Sequence, residues 1–93
     1  MTPKALANLM SIMATERRVG ILKILLEAKE PVGLSMLSGM LDIKENILSS
    51  NLSELSKVGL VFRRPQGKFV FFEVNRELML GLIRFWRTSP KGD

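Results

Sequence analysis

The hydrophobic positions along the chain follow a helical period four times, change to a strand period, and return to a helical one. Leu6, Leu9, Met10 and Met13 are spaced by three, four and seven residues, which predicts a first helix over Pro3 to Ala14 with an apolar stripe and Pro in its first turn. Thr15 is a suitable cap for a second helix running to about Ala28, with Glu16 in its first turn. Val19, Ile21, Leu22, Leu25 and Leu26 make this helix apolar over most of its girth, so it is expected to be the central core helix. Lys29-Glu30-Pro31 breaks it, and Val32 fits a very short strand. Leu34 to Met40 predicts a third helix, with Leu34, Leu37, Ser38 and Leu41 facing inward, and Asp42-Ile43 forms a turn. A fourth helix follows, with Leu48, Leu52 and Leu55 on one face, and it stops at Gly59, the residue that best tolerates a left-handed helix end. Leu60, Val61 and Phe62 begin a strand, Pro65-Gln66-Gly67 is a turn signal, and Phe69 to Val74 is the return strand. Asn75 caps a last helix carrying Leu78, Leu82, Ile83, Phe85 and Trp86. Ser89 to Asp93, with Pro90 and Gly92, is expected to be a disordered tail over about 89–93.

The fourth helix has an unusual outer face. Asn46, Ser49, Ser50 and Ser53 lie opposite the leucines, with Asn51 to one side. A solvated helix face is ordinarily rich in Lys and Glu. Small polar side chains instead let a helix backbone enter the major groove of DNA, where hydroxyl and amide groups reach base edges. Lys44 and Lys57 flank this face, and Arg63, Arg64 and Lys68 surround the tip of the hairpin that follows. A cationic hairpin beside a small-faced helix suits a phosphate backbone. The plainer readings are a Ser-rich surface helix and a charge cluster that protects a sheet edge.

Composition narrows the choice. The 93 residues suit one domain, 1–93, with a single modest core. The formal net charge is +5, and the stretch from Lys44 to Lys68 holds five cations and two anions, so the basic balance is concentrated on the suspected DNA face. The sequence has no Cys, which removes thiol chemistry and fits a cytoplasmic setting. Lys4 to Ala14 is short and followed by Arg17-Arg18, so no signal peptide is expected, and Lys23 interrupts the longest apolar run, so no membrane span is expected either. The broad greasy face of the last helix needs cover on so small a domain, and a symmetric self-association would cover it twice over.

Together these elements read as a mostly helical α+β chain: a helix-turn-helix over about 34–58 followed by a two-stranded wing over about 60–74. Arg18-Val19-Gly20-Ile21-Leu22, Leu37 to Leu41 with Ile43, Leu48 to Leu60, and the run Gly59-Leu60-Val61 through Arg64 to Gly67-Lys68-Phe69-Val70-Phe71-Phe72 resemble the ArsR family of bacterial winged-helix repressors. The resemblance covers roughly Thr15 to Val74. It implies a homodimer on double-stranded DNA, with the first and last helices joined at the dimer interface. That interface would use Leu6, Leu9, Met10, Met13, Leu78, Leu82, Ile83, Phe85 and Trp86. The alternative for the first-helix stripe is packing on its own domain. The chain departs from the family pattern of Ser/Thr-Val-Ser-x-His-Leu on the recognition helix: Ser49 is present, but Lys44, Asn46, Ile47 and Asn51 replace much of the rest and the His is missing.

Several family chemistries lack their residues. Metal-sensing members use Cys or His-containing clusters, and this sequence has neither Cys nor His. No metal or other cofactor is therefore expected. Without those residues the usual acid–base and nucleophile pairs are gone as well, so no enzyme is expected. Two further readings fit the sequence: a winged-helix module that binds a protein rather than DNA, and a DNA-binding protein controlled by a regulatory protein partner.

Overall fold

The computed structural model of the protein describes residues 1–87, so the expected tail at about 89–93 lies outside the described residues. The elements run α1 (Pro3–Met13), α2 (Glu16–Glu27), β1 (Val32–Gly33), α3 (Leu34–Leu41), α4 (Glu45–Lys57), β2 (Val61–Gln66), β3 (Phe69–Val74) and α5 (Arg76–Arg87). Three antiparallel strands form one sheet in the order β1-β3-β2. The short strand expected at Val32 is present and pairs with Phe72, which makes the sheet three-stranded around the two-stranded wing.

Local chemistry explains where the helices begin and end. The Thr2 hydroxyl accepts from the Ala5 N–H at 3.1 Å, and the Thr15 hydroxyl accepts from the Arg18 N–H at 3.2 Å. At the end of α4 the Gly59 N–H donates to the Ser56 carbonyl and the Leu60 N–H to the Leu55 carbonyl, both at 3.0 Å. This is the paired arrangement of a left-handed helix stop, and Gly59 takes the φ of 80° that it requires. Asp42 fills the same role after α3 at φ 53°, a conformation that Asp tolerates better than most residues.

The core centres on α4 as much as on α2. Helix α4 packs on α1, α2, α3 and β2. Leu48, Leu52 and Leu55 are fully buried together with Ile21, Leu37 and Leu60. The broad apolar girth expected of α2 is only partly used: Ile21, Leu22 and Leu25 point inward, whereas Val19 is 54% exposed and Leu26 lies on the surface. An amphipathic helix at the edge of a small domain has only one face to bury.

The hairpin turn is shifted from its expected place. Pro65 and Gln66 continue β2, opposite Val70 and Phe69, and the turn is made by Gly67 and Lys68. Pro tolerates this place because β2 is an outer strand, where a missing N–H breaks no ladder. Gly67 then supplies the φ of 61° that a two-residue hairpin loop needs at its first position.

Arg76, which has no role in the sequence reading, and Asn75, the expected cap of the last helix, hold the helices together. Arg76, at the start of α5, donates to the carbonyls of Leu26 at 3.1 Å, Leu25 at 3.4 Å and Ala28 at 2.7 Å. These are the unpaired carbonyls at the end of α2, where the helix dipole also favours a cation. Arg76→Ala is expected to lower stability by about 1–2 kcal/mol, read as a lower midpoint in thermal or urea unfolding. Asn75 joins the stop of α4 to the start of α5. Its backbone N–H donates to the Leu60 carbonyl and its Nδ2 to the Gly59 carbonyl, each at 2.8 Å, while its Oδ1 accepts from the Leu78 N–H at 3.1 Å.

Candidate nucleic-acid interface

Helix α4 is presented by α3 and braced from behind. The turn between the two helices is closed by the Ile43 N–H donating to the Ser38 carbonyl, and by the Ser38 hydroxyl donating back to the Ile43 carbonyl. On the far side, Arg18 reaches across from α2. Its Nε donates to Asn51 Oδ1 and one terminal nitrogen donates to the Ile12 carbonyl, both at 3.0 Å. Asn51 Nδ2 in turn donates to the Ile47 carbonyl at 2.9 Å. Arg18 is thus neither a phosphate-seeking cation nor a solvated one. It fastens the middle of α4 to α1 and α2, and it holds Asn51 away from the outer face.

That outer face is open. Asn46, Ser49, Ser50 and Ser53 are all exposed, while Leu48, Leu52 and Leu55 anchor the opposite side. Ser56, next along, is turned away and donates to the Val61 carbonyl at 3.2 Å, which ties α4 to the root of the wing. Lys44 is the residue before the first turn of α4, and it makes no side-chain cap there. Lys57, at the other end, lies 2.9 Å from the Glu54 carboxylate. That hydrogen bond, with the Lys57 charge and more weakly that of Arg18, holds the Glu54 carboxyl below its ordinary value.

The three wing cations do not stand alike. Arg64 lies on the sheet face that also carries Phe62, Phe71 and Glu73, because Arg64 is opposite Phe71 and Phe62 opposite Glu73. It donates to Glu73 Oε1 at 2.8 Å and lies 5.5 Å from the Phe62 ring centre. The hydrogen bond from Arg64 holds the Glu73 carboxyl below its ordinary value; lost hydration opposes this, and the charges of Arg64 and Arg76 add to it. Arg63 points to the other face, the side of Val61 and Phe72 on which the helices pack. Lys68 is in the turn, 5.5 Å from the Phe69 ring centre. Among the described residues, Arg63 and Lys68 make no ion pair, so their charge is available to an outside anion.

The residues expected at a dimer interface divide between the core and the surface. Leu6, Leu9 and Leu82 are buried within this chain. Met13, Leu78 and Phe85 are half-buried, and Met10, Ile83 and Trp86 are exposed, Trp86 by 66%. Leu80, also exposed, joins Ile83 and Trp86 on α5 and was absent from the sequence-based set. Phe85 and Trp86 stack edge to face at 5.7 Å.

A small-faced helix presented by a tight helix-helix turn, with a cationic hairpin beside it, defines a winged helix-turn-helix domain. The chain is 37% identical over 75 residues to the transcriptional activator HlyU of Vibrio cholerae, covering 81% of this chain and 68% of that protein. It belongs to the ArsR family of winged-helix transcriptional regulators. It is also 37% identical over 62 residues to a protein described as an arsenical resistance operon repressor in Halobacterium salinarum; the match covers 67% of this chain and 48% of the repressor, so the chain spans about half the length of that relative. Among solved structures, HlyU from Vibrio cholerae is 29% identical with a TM-score of 0.72, over 96% of this chain and 100% of that one. The homodimeric winged helix-turn-helix domain of a possible ArsR-family regulator from Mycobacterium bovis shares the fold at 19% identity and a TM-score of 0.75, over 89% of this chain and 76% of that one. No protein-family model matches the chain. Among the described residues no helix is long and apolar enough to cross a membrane.

Proposed function

We propose that this protein is a sequence-specific double-stranded DNA-binding regulator that acts as a homodimer in the cytoplasm and represses transcription by occupying promoter DNA. The observation that carries this reading is the outer face of α4: four small polar side chains, all exposed, flanked by Lys44 and Lys57 and set beside the wing. Asn46, Ser49, Ser50 and Ser53 face the base edges in the major groove. Lys44, Lys57, Arg63, Arg64 and Lys68 meet phosphates on either side, with the wing along the backbone or in the adjacent minor groove. The exposed apolar side chains of α5, with Met10 of α1, pack against a second copy. Two recognition helices then address half-sites about one helical turn, ~34 Å, apart.

The wing gives a test of two opposite signs. Arg63 is unpaired among the described residues, so Arg63→Ala is expected to weaken binding to every duplex and to reduce the salt dependence by about one unit of slope. Glu73→Gln removes the carboxylate that holds Arg64 and is expected to do the reverse, tightening binding and steepening the slope by about one. Retention on duplex across a salt titration measures both. If neither variant changes the slope, the wing does not lie on the backbone.

A further inference from the structure

Met36 and Met40 stand out among the groups that the proposed interface leaves unused. Met at helical spacing is usually core, yet these two are 63% and 58% exposed. They sit one turn apart on α3, the helix that presents α4. Gly39 lies between them on the helix, with nothing within 4 Å of the place its Cβ would take. The helix carries no charged residue over its whole length. Met36 also lines an open cavity of about 800 Å³, whose wall includes Glu45 in the first turn of α4 and Lys68 and Phe69 of the wing. A chemical change at Met36 is therefore made within the space that joins α3, the recognition helix and the wing.

We propose that Met36 and Met40 form an oxidation site through which two-electron oxygen donors, such as hydrogen peroxide or hypochlorous acid, weaken DNA binding. The inference rests on the DNA-binding reading above. Each thioether sulfur gives up two electrons and gains one oxygen atom to become a sulfoxide. Peroxide leaves as water, and hypochlorous acid leaves as chloride and a proton. The sulfoxide is polar and a strong acceptor where the thioether was apolar and a weak one. At Met36 its oxygen competes with a DNA phosphate for the Lys68 ammonium across the shared cavity. It also places negative charge density beside the path of the backbone. The chain has no Cys, so in this protein the oxidation chemistry of sulfur belongs to methionine alone.

The test treats the intact protein with hydrogen peroxide, removes the excess with catalase, and measures duplex affinity together with the position of each sulfoxide by peptide mass spectrometry. Expected are sulfoxides at Met36 and Met40 ahead of the half-buried Met13 and Met79. Affinity falls about three- to tenfold, and the salt slope drops by about one, as for the loss of one phosphate contact. The double variant Met36→Leu/Met40→Leu binds as the parent does before treatment and keeps its affinity afterwards. Methionine sulfoxide reductase restores the parent. If the parent's affinity is unchanged when both residues are oxidised, or if it falls equally in the double variant, the inference is wrong while the DNA-binding reading stands. If the untreated protein retains no duplex, that reading fails first and takes the inference with it.

Discussion

Ser50→Glu is expected to abolish specific DNA binding, with affinity lowered about 100-fold or more, equivalent to about 3 kcal/mol. Ser50 lies midway along the exposed face of α4, four residues after Asn46 and three before Ser53. A carboxylate there meets the negative potential of the groove and the carbonyl and ring-nitrogen acceptors of the bases, with only the amino groups of cytosine and adenine as donors. The fold is unaffected. The site is open to solvent, Glu is a better helix former than Ser, and the added repulsion from Glu54 four residues on is worth only a few tenths of a kcal/mol. The circular dichroism spectrum and unfolding midpoint should therefore match the parent while retention on duplex is lost. Parental retention by the variant would mean that this face does not enter the groove.

Leu52→Ala produces the largest expected loss of stability, about 3–4 kcal/mol. Leu52 is fully buried between Leu48 and Leu55 on the helix that packs on α1, α2, α3 and β2, so the truncation opens a cavity in the core. Surrounding groups collapse only partly into such a space. A domain of this size has total stability on the order of 5–10 kcal/mol, so the variant is expected to unfold well below the parent's midpoint and to lose DNA binding with it. Denaturant unfolding checks this, and a loss under about 1 kcal/mol would contradict the packing described for α4. Ser50→Glu and Leu52→Ala lie two residues apart on one helix, and they separate the reading of DNA from the holding of the reader.

The features legible in the sequence are those set by short-range spacing. The leucines of α4, the stop at Gly59, the cap at Asn75 and the strand at Phe69–Val74 each depend on residues within about one or two turns of each other, and each is present in the structure. The small polar face of α4 followed from the same spacing. Features joining distant residues were not legible. Arg18 and Asn51 are 33 residues apart in sequence, and Arg76 is 48 to 51 from the carbonyls it holds. The Arg64–Glu73 pair depends on strand register, and the register depends on where the turn falls. Placing the turn at Pro65 rather than Gly67 shifts every partner across the wing. Burial along α1, α2 and α5 was not legible for a related reason. Periodicity shows that a face is apolar, but not whether this chain or another covers it. Hence Leu6, Leu9 and Leu82 are in the chain's own core, while Val19, Leu80 and Trp86 are at its surface.

On the proposed function, a paired α4 face reads a defined DNA sequence. Selecting bound duplexes from a random pool and sequencing them tests it most directly. Expected is an enriched inverted repeat whose half-sites lie about one helical turn apart, with enrichment lost in Ser50→Glu. Retention without any enriched sequence, or enrichment that survives Ser50→Glu, would contradict it.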